Sequence, residues 1–94
     1  MAEDEPVELP ITGELDLHTF RSADLGELIP AYLAACRAQG LRSVRIVHGK
    51  GTGTLRTTVH TLLDRLPGLV QGYRLGDETS GGWGATRVTL RPTD

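Results

Sequence analysis

Three histidines, one well-placed aspartate and a run of glycines hold most of the chemistry this 94-residue chain can offer. Asp16 and His18 stand two residues apart in "LDLH", and His48 opens "HGKGTG". An imidazole titrates near neutrality, so His18 and His48 suit proton transfer, or else simply hydrogen-bond the glycine loop and hold its shape. A carboxylate beside them can orient a ring or bind a divalent cation, which makes Asp16 the candidate for both tasks. In "HGKGTG" the glycines Gly49, Gly51 and Gly53 surround Lys50. Bare backbone followed by a helix start offers N–H groups and a positive helix end to a phosphate. Lys50 would add a point charge there, and Arg56 in the first helical turn a fork. The same stretch also reads as a plain structural turn. The P-loop pattern fails because glycine follows Lys50, and the dinucleotide fingerprint lacks its third glycine. A second glycine loop, "GGWGAT", carries Gly82, Trp83 and Gly84. Trp83 could stack on an unpaired base or fold over the sheet edge. His60 reads as a surface or boundary residue.

These residues need elements to position them. "GELDLH" alternates, with Leu15 and Leu17 on one side and Glu14, Asp16 and His18 on the other, which predicts a half-buried strand. From Ser22 to Gly40 the apolar residues Leu25, Ile29, Tyr32, Leu33 and Cys36 follow helical spacing. Ser22 is the expected N-cap and Gly40 the expected C′ residue, with Pro30 interrupting the helix. "SVRIVH" predicts a second strand with Val44 and Ile46 facing opposite to Arg45 and Val47. Leu55, Val59, Leu62, Leu63 and Leu66 predict a second helix, closed by Pro67-Gly68. "VQGYRL" and "ATRVTL" predict a final hairpin. The order β-α-β-α-β-β implies a two-layer α/β sandwich with a four-stranded mixed sheet, mainly parallel, both helices covering one face. The strand ends would then bring Asp16, His18 and His48 toward the glycine loop. Arg45, Arg87 and Arg91 would lie across the open face, as phosphate contacts or as solvated strand residues.

Composition limits the rest. The length fits one domain, expected over residues 11–92 behind a mobile acidic tail at 1–10. A single cysteine, Cys36, excludes an internal disulfide and a thiolate metal cluster, and its place on the helical stripe predicts buried filler. No run is long enough to span a bilayer, and the acidic N-terminus lacks the apolar core of a signal peptide, so a cytoplasmic protein is expected. The net charge of −2 alone argues against a nucleic-acid partner. Its distribution does not: residues 28–63 hold Arg37, Arg42, Arg45, Lys50 and Arg56 without an acid. That segregation favours an anionic ligand beside the glycine loop.

Together, Leu15-Asp16-Leu17-His18, His48-Gly49-Lys50-Gly51 and Gly81-Gly82-Trp83-Gly84-Ala85-Thr86 resemble the three motifs of the Smr (small MutS-related) domain family. The likeness spans about residues 11–92, with one departure at Thr19, where many members carry glycine. The resemblance implies a fold like the C-terminal domain of translation initiation factor three. It implies binding of DNA or RNA and endonuclease or nicking activity, with Mg²⁺ or Mn²⁺ as an accessory and Asp16 as its ligand. It further implies a catalytic role for Asp16, His18 and His48, and phosphate contacts from Gly49, Lys50, Gly51, Gly53, Arg56, Gly82, Trp83 and Gly84. A stand-alone module, monomeric in isolation, is expected. The alternative is a non-catalytic nucleic-acid-binding or protein-recruiting module.

Overall fold

A computed structural model of the chain describes residues 11–49, 53–76 and 84–92. The acidic segment 1–10, Lys50, Gly51, Gly82 and Trp83 lie outside the described residues. The elements run β1 (Glu14–Asp16), α1 (Leu25–Ala38), β2 (Ser43–Val47), α2 (Thr54–Asp64), β3 (Val70–Leu75) and β4 (Ala85–Leu90), with short 3₁₀ turns at Leu17–Thr19 and Ser22–Asp24. This is the expected two-layer α/β order.

The sheet order is β1-β2-β4-β3. β1 pairs with β2 in parallel, whereas β4 is antiparallel to both β2 and β3. The expectation of mainly parallel pairing is therefore corrected. β1, β2 and β3 do point the same way, but β4 folds back and inserts between β2 and β3. Local alternation fixes strand direction through the crossovers, not which strand sits beside which.

One face of the sheet is dry. Leu15, Val44, Ile46, Val70, Val88 and Leu90 join Leu25, Ile29, Tyr32, Leu33 and Cys36 of α1 and Val59 and Leu63 of α2 in one core cluster. β2 alternates as expected, with Val44 and Ile46 fully buried and Arg45 and Val47 turned to the other face. Cys36 is buried filler, and that burial pushes its thiol pKa up.

The element boundaries carry three further corrections. β1 stops at Asp16 instead of continuing to His18, because the Asp16 carboxylate accepts the His18 backbone N–H at 2.9 Å and caps the 3₁₀ turn. Ser22 is not the N-cap of α1: it opens its own 3₁₀ turn, and Asp24 stands at the cap. Pro30 lies inside a helix that runs through it, so the interruption falls earlier, at that turn. The other end is as expected. Gly40 takes φ +87°, its N–H reaches the Arg37 carbonyl and the Leu41 N–H reaches that of Cys36. These are the two bonds of a Schellman cap, which releases the chain into β2.

Candidate active site

Asp16 occupies the end of β1 on the open side of the sheet, opposite Val47 in register. The turn it caps swings His18 back, and His18 Nδ1 bonds the same Asp16 Oδ1 at 2.6 Å. An ionised carboxylate only accepts, so Nδ1 carries the proton and Nε2 is the working nitrogen of the neutral ring. The His18 backbone N–H on the Asp16 carboxylate holds its pKa below the ordinary value against the opposing effect of burial, with the His18 ring and Arg45 adding to the lowering. Both side chains are 59% exposed, so the pair is open to a ligand. His18 Nε2 faces Gly49: a Cβ built on that glycine would stand 3.0 Å from it. Gly49 also has φ +83°, a backbone that favours glycine.

His48 goes the other way. It continues the buried parity of Val44 and Ile46 and is 4% exposed. Its Nδ1 meets the Gly49 carbonyl at 3.1 Å, and its Nε2 meets Thr86 Oγ1 at 2.9 Å. A carbonyl cannot donate, so Nδ1 holds the proton and Nε2 accepts from the Thr86 hydroxyl. Thr86 Oγ1 in turn accepts from His60 Nε2 at 2.8 Å. The donor direction is thus set along the whole chain, from His60 through Thr86 and His48 to Gly49. His60 stacks on Tyr73 with ring centroids 4.7 Å apart, and the Tyr73 hydroxyl donates to Asp64 at 2.8 Å.

The structure therefore divides the three predicted catalytic residues. Asp16 and His18 form an exposed pair, His48 belongs to a buried relay, and Gly49 stands between them. His60 and Thr86 are the members that sequence reading missed. The available signal was spacing: Arg56 and His60 are four apart, on one side of α2 next to the buried Val59 and Leu63. Thr86 was visible only as the end of "GGWGAT".

The glycines divide too. The Gly84 carbonyl accepts both the His48 N–H at 2.9 Å and the Gly49 N–H at 2.8 Å. Gly49 N–H is therefore directed at the hairpin, and Gly84 ties the two loops together. Gly53 caps α2 with φ +93°, and an Arg56 Nη lies 2.8 Å from where its Cβ would be. Arg56 thus folds over the positive start of α2, a place suited to an anion. Among the described residues no group of three His, Cys, Asp or Glu side chains is arranged to hold a metal ion. Asp16 stands as one carboxylate whose Oδ1 already accepts two bonds. That donor set does not fit a dedicated Mg²⁺ or Mn²⁺ site.

Burial lowers the pKa of His48 and of His60, with the neighbouring Arg56 charge acting in the same direction on both. A depressed histidine favours the neutral ring in the folded state. Its stabilisation is full above the ordinary value of 6.5 and is lost as pH falls from there through the lower folded value. Urea midpoints should fall between about pH 7.5 and about pH 5.5. His60→Gln keeps a donor for Thr86 but cannot titrate, so its midpoint should fall less over that interval. Equal falls for both proteins would remove His60 from the pH response.

With this geometry in view, the likeness to known proteins is specific. The family model of the Smr domain matches residues 15–91. The chain is 40% identical over 81 residues to Endonuclease MutS2 of Halothermothrix orenii, covering 86% of this chain and 10% of that protein. It is 41% identical over 78 residues to Endonuclease MutS2 of Brevibacillus brevis, again about a tenth of that protein. The Smr domain of Thermus thermophilus MutS2 superposes with a TM-score of 0.77 at 36% identity, covering 86% of this chain and 100% of that one. YdaL, a stand-alone small MutS-related protein of Escherichia coli, gives a TM-score of 0.77 at 28% identity, covering 90% of this chain and 69% of that one. No helix among the described residues is long and apolar enough to cross a membrane.

Proposed function

The chain belongs to the Smr domain family, and on that premise we propose that it is a nuclease domain in which the Asp16–His18 pair moves the proton of phosphodiester cleavage on DNA or RNA. The observation that carries this reading is the 2.6 Å bond from His18 Nδ1 to Asp16, which leaves Nε2 at an exposed edge beside Gly49. His18 Nε2 takes a proton from an attacking water as its oxygen bonds phosphorus. Asp16 stabilises the imidazolium that forms, much as a carboxylate supports histidine in other hydrolases. The bond from phosphorus to the leaving oxygen breaks, that oxygen takes a proton from solvent, and the imidazolium releases its proton to water. Arg56 at the start of α2, together with Lys50, supplies positive charge to the phosphoryl oxygens. His48 acts through the loop: its Nδ1–H holds the Gly49 carbonyl, and so holds the backbone against which His18 rests. The name endonuclease belongs to relatives of which this chain spans about a tenth, so it supports the reaction class and not a substrate.

The test is incubation with supercoiled plasmid and with structured RNA, with and without Mg²⁺ or Mn²⁺, beside a His18→Ala control. Nicking by the wild type and not by the variant supports the reading. Equal nicking by both would assign the activity elsewhere. A chain that binds without cutting would leave the same cradle as a binding module.

Lys50 offers a separate prediction from charge alone. Lys50→Ala should weaken binding to different nucleic-acid sequences by a similar factor, since a phosphate contact reads no sequence. The log-log salt slope should become shallower by about 0.7 to 0.9. A sequence-dependent loss at unchanged slope would show that Lys50 contacts bases.

A further inference from the structure

The open face of the sheet has an orderly charge pattern. Register places Glu14 of β1 beside Arg45 of β2, Arg45 beside Arg87 of β4, and Arg87 beside Arg74 of β3. Residues facing each other in register share a sheet face, so the face runs from acidic at β1 to three arginines across its other strands. Glu14 bonds Arg45 at 2.5 Å, Arg87 donates to Ser43 at 2.9 Å, and Arg74 is exposed. Glu14 offsets Arg45, so the positive charge of the row is displaced toward β4 and β3, an arrangement that suits a polyanion laid over those strands. Arg91 is not part of the row. Its Nε donates to the Pro67 carbonyl, which ties it to the turn after α2.

Two features give this face a direction and a size. Asp16 belongs to it, two residues along β1 from Glu14, so the row begins about 7 Å from the Asp16–His18 pair. The buried His48 relay belongs to the opposite face. A groove of about 300 Å³ opens beside the row, lined by Gly72, Arg74, Arg87 and Thr89 among others. It exists because the β3 register shifts between Val70 and Gly72, and because nothing lies within 4 Å of the place a Gly72 Cβ would take. Its volume matches the small end of ligand clefts and is enough for one nucleotide.

We infer that the open sheet face carries an unpaired nucleic-acid strand away from the Asp16–His18 pair, with phosphates on the Arg45–Arg87–Arg74 row and one nucleotide seated over Gly72. This rests on the nuclease reading and adds the form of its substrate and the path it takes. Arginine also stacks on bases, so Arg74 can close the groove over the seated nucleotide.

The test is anisotropy titration of a ~12-nucleotide single strand, a ~3-nucleotide strand and a blunt duplex. Arg74→Gln should weaken the longer strand about three- to tenfold and reduce its salt slope by ~0.7. Gly72→Val fills the groove at a position with room for the side chain, in a strand that favours β-branched residues. It should weaken the longer strand similarly at unchanged slope. The short strand should lose little in either variant, and circular dichroism checks folding. Unchanged binding of the longer strand by both variants overturns the inference, while wild-type cleavage leaves the nuclease reading standing. An equal loss for the duplex also overturns it and places a double helix on this face. If the wild type binds none of the three, the nuclease reading fails and this inference with it.

Discussion

His18→Ala is expected to reduce strand cleavage about 10²- to 10⁴-fold, the range for removing a general acid–base group, while binding changes less than severalfold. The side chain is 59% exposed, so its loss opens no core cavity and the fold should keep its stability. Asp16→Asn is the companion measurement. Its amide can still approach Nδ1 but no longer supplies the charge that stabilises the imidazolium, so cleavage should fall while the pH profile shifts. If His18→Ala cuts as well as the wild type in purified preparations, the pair is not the proton carrier. If Asp16→Asn is unimpaired, the 2.6 Å contact positions nothing that matters to the reaction.

Gly49→Ala is expected to damage both stability and cleavage, and a second glycine separates the two effects. Gly49 has φ +83° and Gly40 φ +87°, so an L residue at either place should cost about 1–2 kcal/mol of backbone strain. Nothing lies within 4 Å of a Cβ on Gly40, whereas one on Gly49 meets His18 Nε2 at 3.0 Å. The ring can give way only by rotating from its bond with Asp16 or by moving its working nitrogen. Gly40→Ala should therefore lower the denaturation midpoint and leave cleavage per folded molecule intact. Gly49→Ala should lower the midpoint comparably and cleavage by about tenfold or more, the cost of a misaligned catalytic group. Equal activity in the two variants would reduce Gly49 to a turn residue.

Much of this arrangement is legible along the chain, for local reasons. Val44 and Ile46 alternate with Arg45 and Val47 because one face of β2 is dry, and the stripes of α1 and α2 follow from their single buried sides. The three motifs mark the strand ends where the site forms. What was not legible depends on contacts between distant residues. The insertion of β4 between β2 and β3 decides that Arg74 joins Arg45 and Arg87, and a bulge sets that register. Alternation continues through His18 and predicts a strand residue, yet a side-chain bond within two residues outcompetes the ladder. His60 looked peripheral because helical spacing places it beside the apolar stripe. Its partner Thr86 lies 26 residues away on another element.

The placement of β4 also bears on how the domain is made. β2 and β3 are both bonded to a strand that the ribosome delivers after either of them. Until residues 85–90 leave the exit tunnel, β3 has no neighbour in the sheet and the Val88 and Leu90 part of the core is missing. Closing the Ser43–Thr89 pairing joins residues 46 positions apart, a non-local step that slows collapse into the native sheet. During synthesis the helices and the β1–β2 pair can therefore form before residues 85–90 arrive, whereas the arginine row is completed only with the last strand.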